Sequence, residues 1–209
     1  MFKNRQDAGG QLAKRLAHFK GKENCVVLGI PRGGVAVAFE VAKQIRAPLD
    51  VIVIKKLGYP GNEEFAIGAV GLDTYHVNLE YSSSVPKGYI EEQVRIKQQE
   101  VQRRLSLFRG KKPPVSLKGK DVIIVDDGIA TGETMMLAVK LIQRHSPRSV
   151  IVAVPVAPPE AVAALKQQAD DVVCLLMPES FMGIGEFYMD FTQVEDDMAA
   201  TLLREAGRW

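Results

Sequence analysis

Two adjacent aspartates, Asp126 and Asp127, followed at short fixed spacing by Thr131, Gly132 and Thr134, are residues whose types and order could do chemistry together. An ionised carboxylate only accepts hydrogen bonds, so a pair of them suits neighbouring hydroxyl donors such as those of a ribose. The hydroxyls of Thr131 and Thr134 can donate to phosphate oxygens, and Gly128 and Gly132 permit a sharp turn close to a ligand. Together they describe a sugar-phosphate site. An Asp-Gly turn followed by a Thr or Glu helix cap accounts for two or three of these residues, but not for the whole ordered set.

The flanking residues supply the elements that must hold such a site. Val122, Ile123, Ile124 and Val125 form an unbroken apolar run, the pattern of a parallel strand buried on both faces. Met135, Ala138, Val139 and Ile142 follow at helical spacing. The loop therefore leaves the carboxyl end of a strand and enters a helix, whose first free N–H groups and positive dipole end favour a phosphate.

A second run of this kind is Gly29-Ile30-Pro31-Arg32-Gly33-Gly34-Val35, which also follows an apolar strand and opens a helix. Alone it could be an ordinary tight turn. Placed at the same sheet edge as the first loop, it becomes a second anion site, with the guanidinium of Arg32 suited to a pair of pyrophosphate oxygens.

Strands are expected at about 25–30, 50–56, 121–126, 149–156 and 171–176, and helices at about 6–19, 35–46, 88–109, 133–145 and 159–168. Their alternation predicts an α/β fold with a mainly parallel central sheet flanked by helices. Between 57 and 86 the pattern breaks into Gly, Pro, Asn and Ser with short β-like pieces at 66–70 and 74–78, which reads as a hairpin or mobile flap. After Pro178 comes an aromatic and glycine-rich stretch, and Thr192 with Glu195 has capping-box spacing before a last helix.

The chain has 209 residues, 46% of them hydrophobic, enough for one full core. A net charge of +2 makes no general case for nucleic acid or membrane binding, and no apolar run approaches spanning length, so a cytoplasmic protein is expected. Cys25 and Cys174 sit in apolar runs without metal-ligand spacing and read as reduced, buried thiols. His18, His76 and His145 are scattered.

The ordered set Val125-Asp126-Asp127-Gly128-Ile129-Ala130-Thr131-Gly132-Glu133-Thr134 resembles the phosphoribosyl pyrophosphate signature of the type I phosphoribosyltransferases. Runs along nearly the whole chain, among them Arg5-Gln6-Asp7-Ala8-Gly9, Gly61-Asn62-Glu63-Glu64-Phe65 and Gly185-Glu186-Phe187-Tyr188, look like a bacterial and archaeal group of that family. That group often has Asn-Pro-Glu where this chain has Asn62-Glu63-Glu64.

The resemblance implies a single type I phosphoribosyltransferase domain, with a flap at about 57–86 and a small hood from about 1–20 and 178–209 that supplies the base pocket. It implies that Asp126 and Asp127 hold the ribose hydroxyls and that Gly128, Ile129, Ala130, Thr131, Gly132, Glu133 and Thr134 hold the 5-phosphate. Arg32, Gly33 and Gly34, with the basic pair Lys55 and Lys56, would meet the pyrophosphate, and a strained or cis peptide is often found in that loop. Mg²⁺ would be the cofactor, held by substrate oxygens and waters with no protein ligand assigned. The partners implied are phosphoribosyl pyrophosphate and a small nitrogenous base, with a purine favoured; a homodimer is compatible.

No acid–base residue is assigned. Members acting on 6-oxopurines place an aspartate where this chain has Ala130, and the form here resembles adenine-type members that use a mobile loop; Glu63, Glu64 and Glu80 are the loop carboxylates available. The competing reading is a non-catalytic sensor of phosphoribosyl pyrophosphate with nucleic-acid contacts along Arg95, Lys97, Arg103, Arg104, Arg109, Lys111 and Lys112. Glu91, Glu92 and Glu100 interrupt that basic run, which favours a solvated helix face. A dinucleotide site is set aside, because Gly29, Gly33 and Gly34 lack the Gly-x-Gly-x-x-Gly spacing.

Overall fold

In the computed structural model, which describes residues 1–110 and 112–207 apart from the side chains of Glu64 and Leu79, the apolar runs become strands and helices in alternation. Along the chain these are α1 (Arg5–Arg15), β1 (Cys25–Gly29), α2 (Gly33–Ile45), β2 (Leu49–Val51), β3 (Lys55–Tyr59), β4 (Asn62–Val70) and β5 (Tyr75–Val77). There follow α3 (Leu79–Ser82), α4 (Lys87–Arg109), β6 (Asp121–Val125), α5 (Glu133–Gln143), β7 (Ser149–Val156), α6 (Pro159–Lys166), β8 (Asp171–Leu176) and α7 (Asp196–Ala206).

Five strands form a parallel sheet in the order β2-β1-β6-β7-β8. Side chains alternate across it, as a pleated strand requires. Val26, Leu28, Val122, Ile124, Val150 and Val152 pack under Met135, Ala138, Val139 and Ile142 of α5 and Val162 and Leu165 of α6. Cys25, Val27, Ile123, Val125 and Ile151 face the other way, against Leu12 and Ala13 of α1 and Ala38, Val41 and Ala42 of α2. Helices cover both faces, which is why the strands read as continuous apolar runs instead of alternating ones. The expected α/β fold with a central parallel sheet between helices is what forms.

Register decides where the site lies. Gly29 is opposite both Val51 and Val125, so β2, β1 and β6 end level with one another. The loops that follow β1 and β6 consequently leave the same edge side by side.

The strand expected at 50–56 is two strands. β2 stops at Val51 in the parallel sheet, the chain crosses over at 52–54, and β3 begins at Lys55 in a second, antiparallel sheet of order β3-β4-β5. The apolar run hides the change because Val51 and Val53 stay buried together beside Val101 and Leu105 of α4, while Ile52 faces the other core. The expected hairpin is present as β4 and β5, and Leu57, Ile67 and Val70 give this small sheet its own apolar cluster with Val85 and Val94.

A second correction concerns the start of the last helix. α7 begins at Asp196, not at Thr192, and Glu195 precedes it without a side-chain cap bond. The Thr192 N–H and Oγ1 both donate to Asp190 Oδ1, at 3.0 and 2.6 Å, so the threonine closes its own local turn. Of the two expected hood segments, α1 packs against α2 and the sheet, and α7 packs beside α2, α4 and β2. Phe2, whose N–H donates to the Phe187 carbonyl at 2.7 Å, joins Ile184, Phe187, Tyr188 and Phe191 in a separate apolar cluster.

No described helix is long and apolar enough to cross a membrane. Cys25 is buried and Cys174 half-buried, both as free thiols; burial and then the charge of Asp121 push the Cys25 pKa up to about 11.

Candidate functional site

The Asp126–Asp127 loop and the Pro31–Gly34 loop interlock at the end of β1 and β6. A Cβ on Gly34 would lie 2.7 Å from Asp126 Oδ1 and 2.8 Å from the Val125 carbonyl oxygen. One on Gly33 would overlap the Asp127 carboxylate outright. Both glycines are thus needed for a close approach by the aspartates, a role that their place in a glycine-rich loop does not announce. The peptide bond between Pro31 and Arg32 is cis.

The two aspartates differ in environment. Asp126 accepts the Asp127 N–H at 2.8 Å on Oδ1. Burial of its carboxyl, followed by the negative charge of Asp127, raises its pKa well above the usual carboxylate range, against the pull of Arg5. Asp127 has a cationic partner instead: Arg5 Nε donates to its Oδ2 at 2.7 Å, with both side chains nearly buried. The Asp127 carbonyl accepts from the Tyr188 hydroxyl at 2.6 Å, and burial with the Asp127 charge pushes that phenol above its ordinary range.

In the rest of the loop, Ala130, Thr131, Glu133 and Thr134 are exposed while Gly128, Ile129 and Gly132 are buried. Gly132 has φ of +83° and is the residue before α5, a left-handed turn that glycine adopts freely. Ile129 departs from the expected phosphate set. Its side chain joins the core and its N–H donates to the Val156 carbonyl at 2.9 Å, so neither is available to a ligand. The first-turn N–H groups of α5 remain, since an α-helix provides them no internal acceptor.

Adjacent positions on a strand point in opposite directions, and the two lysines of β3 do so. Lys55 Nζ pairs with Glu100 of α4 at 2.9 Å, and Lys56 Nζ pairs with Glu133, the first residue of α5, at 2.6 Å. Lys56 is thereby brought to the phosphate-type loop and Lys55 is turned toward α4. Arg32 immediately precedes α2, and its Nη1 lies 3.3 Å from Glu195 Oε2, the arginine partly buried and the glutamate exposed. The residue read from spacing as half of a capping box is therefore a partner of the arginine.

Arg5, Tyr188 and Glu195 are neighbours of the site that sequence reasoning leaves out. No local period links them to Asp127 or Arg32, because the contacts span 122, 61 and 163 positions. Three residues of the basic run are paired within the chain: Lys97 meets Glu100, Arg104 meets Asp196, and Arg109 meets Asp50. Lys111 lies outside the described residues. Glu63 and Glu80 are exposed on β4 and α3, and the Glu64 side chain lies outside the described residues.

Comparison with known proteins agrees with this geometry. Residues 3–192 match the family model described as "Phosphoribosyl transferase domain", a span that holds both loops and Tyr188. The chain is 44% identical over 211 aligned positions to the Mycobacterium tuberculosis H37Rv protein named "Putative phosphoribosyl transferase Rv0571c". That alignment covers 100% of this chain and 47% of the relative, so the chain spans about half the length of the curated relatives it matches. It is also similar to the crystal structure of the protein TT1426 from Thermus thermophilus, at 42% identity, 98% coverage of both chains and a TM-score of 0.88. With residues 3–192 matched and the interlocked loops at the sheet edge, the chain belongs to the type I phosphoribosyltransferase family.

Proposed function

We propose that the protein is a Mg²⁺-dependent transferase that moves ribose 5-phosphate from phosphoribosyl pyrophosphate to a nitrogenous base, with a purine favoured, and releases pyrophosphate. The observation that carries this reading is the interlock itself, in which Gly33 and Gly34 seat the Asp126–Asp127 pair between two anion-type loops. Such a crevice suits one ligand bearing hydroxyls in the middle and phosphates at both ends.

In this reading Asp126 and Asp127 accept the ribose hydroxyls. The free N–H groups before and within the first turn of α5, with Thr131 and Thr134, hold the 5-phosphate. Arg32 and Lys56 serve the pyrophosphate end, each exchanging its present carboxylate partner, Glu195 or Glu133, for phosphate oxygens. Lys55 is engaged with Glu100 of α4 instead.

The transfer itself passes through an oxocarbenium-like ribose as pyrophosphate departs, so the protein contributes position and charge stabilisation. The crevice presents the oxygens of Asp126 and Asp127, which this reading commits to the ribose hydroxyls, with Arg5 already on one of them. That donor set fits a Mg²⁺ carried on the donor's own oxygens and water; when bound, the ion neutralises the leaving pyrophosphate. Ala130 supplies no proton acceptor, which fits an acceptor that needs little help from the protein at that position.

The test is incubation of the protein with Mg–phosphoribosyl pyrophosphate and a panel of purine and pyrimidine bases, with nucleotide products read by mass and pyrophosphate assayed in parallel. A nucleotide of one base with matching pyrophosphate is the expected result. Binding of the donor without any product would replace the transferase with a sensor, and no binding of the donor would overturn both.

A further inference from the structure

Arg5 has no part in the capture of the donor described so far, yet it is the cation hydrogen-bonded to the aspartate pair. It opens α1, and the Asn4 side chain fixes that turn by accepting the Asp7 N–H at 2.9 Å. Its guanidinium is held on three sides. Nε donates to Asp127 Oδ2 at 2.7 Å, Nη1 donates to the Thr192 carbonyl at 2.8 Å, and Cζ lies 3.9 Å from the centroid of the Phe191 ring. A planar fork fixed in this manner keeps its direction at little further entropic cost.

The two oxygens of Asp127 are used unequally. Arg5 occupies Oδ2, and the backbone of Gly33 lies against that same oxygen. No donor of a described residue is hydrogen-bonded to Oδ1, and the carboxyls of Asp126 and Asp127 lie within hydrogen-bonding reach of each other. The groups bearing on the pair come from three elements: Asp126 and Asp127 from the loop after β6, Arg5 from α1, and the Tyr188 hydroxyl from the segment after β8. Two of these groups are acids that repel each other, the phenol stays neutral in the acid range, and Arg5 is the cation that offsets them.

We propose that Arg5 is a positioning residue of the donor site: it holds Asp127 by one oxygen and balances the acidic pair, so that Oδ1 accepts a ribose hydroxyl of phosphoribosyl pyrophosphate. This rests on the donor reading given under Proposed function. It also links the segment 187–192 to donor capture, because the same guanidinium that orients Asp127 is anchored on Thr192 and Phe191.

The experiment is a calorimetric titration of the full chain with Mg–phosphoribosyl pyrophosphate from acid to neutral pH, for the wild type, Arg5→Gln and Arg5→Lys. Hydroxyl capture needs ionised carboxylates, and Arg5 lowers the pKa of Asp126, so wild-type affinity falls on an acid limb. Without the neighbouring cation that limb moves up by about one pH unit in Arg5→Gln, with about tenfold weaker binding at neutral pH. Arg5→Lys keeps the charge and returns the limb toward the wild-type position, with part of the affinity.

An unmoved limb in folded Arg5→Gln overturns the proposal, and so does an equal loss of affinity at every pH, which is what a packing role produces. If Arg5→Gln does not fold, Phe191→Leu takes its place; it loosens the guanidinium and moves the limb in the same direction by less, and no movement is again fatal. A wild type that never binds the donor removes the donor reading and this proposal with it, a result distinct from a bound donor with an unmoved limb.

Discussion

Gly33 and Asp127 occupy the same space to within one carbon atom: the aspartate carboxylate lies where a Cβ on residue 33 would have to be. The acidic pair therefore has its position because two glycines in another loop leave room. Gly33→Ala is expected to force the loops apart, at a cost of about 1–3 kcal/mol in stability. Donor affinity should fall at least about tenfold, since hydrogen bonds to a displaced carboxylate are lost. Urea denaturation and donor titration of one sample would check both; a variant that binds the donor like the wild type contradicts the packing argument.

Asp126 makes an opposite trade. Its pKa is raised by burial and by Asp127, so the folded state disfavours its charge. For an acid of raised pKa, the folded state is favoured most at low pH, and stability is lost as pH rises from the unfolded value through the folded one. Asp126→Asn removes that charge. The variant should melt above the wild type near neutral pH, and the gain should shrink to nothing as pH falls below the ordinary aspartate value of 3.8. Donor affinity should drop by about tenfold or more, because the amide is a poorer acceptor for ribose hydroxyls. Melting curves over a pH series test the sign.

Lys56 and Glu133 are 44% and 57% exposed at the side chain, so their ion pair contributes little to folding. Lys56→Gln should change stability by less than about 1 kcal/mol. If the lysine serves the donor, the same substitution weakens binding of Mg–phosphoribosyl pyrophosphate by about tenfold, while Lys55→Gln weakens it less. Equal effects of the two substitutions would argue against the division of labour read from their opposite directions.

Arg109 and Asp50 form a different kind of contact, well buried and away from the donor crevice. Arg109 Nε donates to Asp50 Oδ1 at 2.6 Å and Nη2 to the Val51 carbonyl at 2.9 Å, while the Val115 N–H donates to Asp50 Oδ2 at 3.0 Å. The cluster ties the end of α4 and the following linker to β2. Arg109→Leu leaves Asp50 as an uncompensated buried charge and should cost about 3–5 kcal/mol. The double variant with Asp50→Asn should recover part of that loss, which a chemical denaturation series would show.

What could be read without coordinates was what repeats locally. The apolar run at 122–125, the glycines and threonines after it, and the helical stripe of Met135, Ala138, Val139 and Ile142 sit where their periods indicate. The change of sheet at 52–54 was not legible, because Val51, Ile52 and Val53 are buried whichever sheet the chain is leaving. Thr192 and Glu195 had the spacing of a cap, but Asp190 competes for the threonine and Arg32 for the glutamate. Arg5 stood in a run that carries the family resemblance but had no role assigned; its meaning depends on Asp127, which the fold brings near. Ile129 shows the converse, since membership of a loop motif does not say which N–H groups the neighbouring strand has already taken.

The strand order β2-β1-β6-β7-β8 has a kinetic corollary. β1 and β6 are direct neighbours, yet the whole second sheet and α4 are synthesised between them. Their pairing is a contact of high sequence separation, and closing it carries the loop entropy of that excursion before any return. The donor crevice exists only after this closure, so binding competence should be acquired late in refolding, after α4 has formed, and ligand-detected refolding should lag behind the recovery of helical signal.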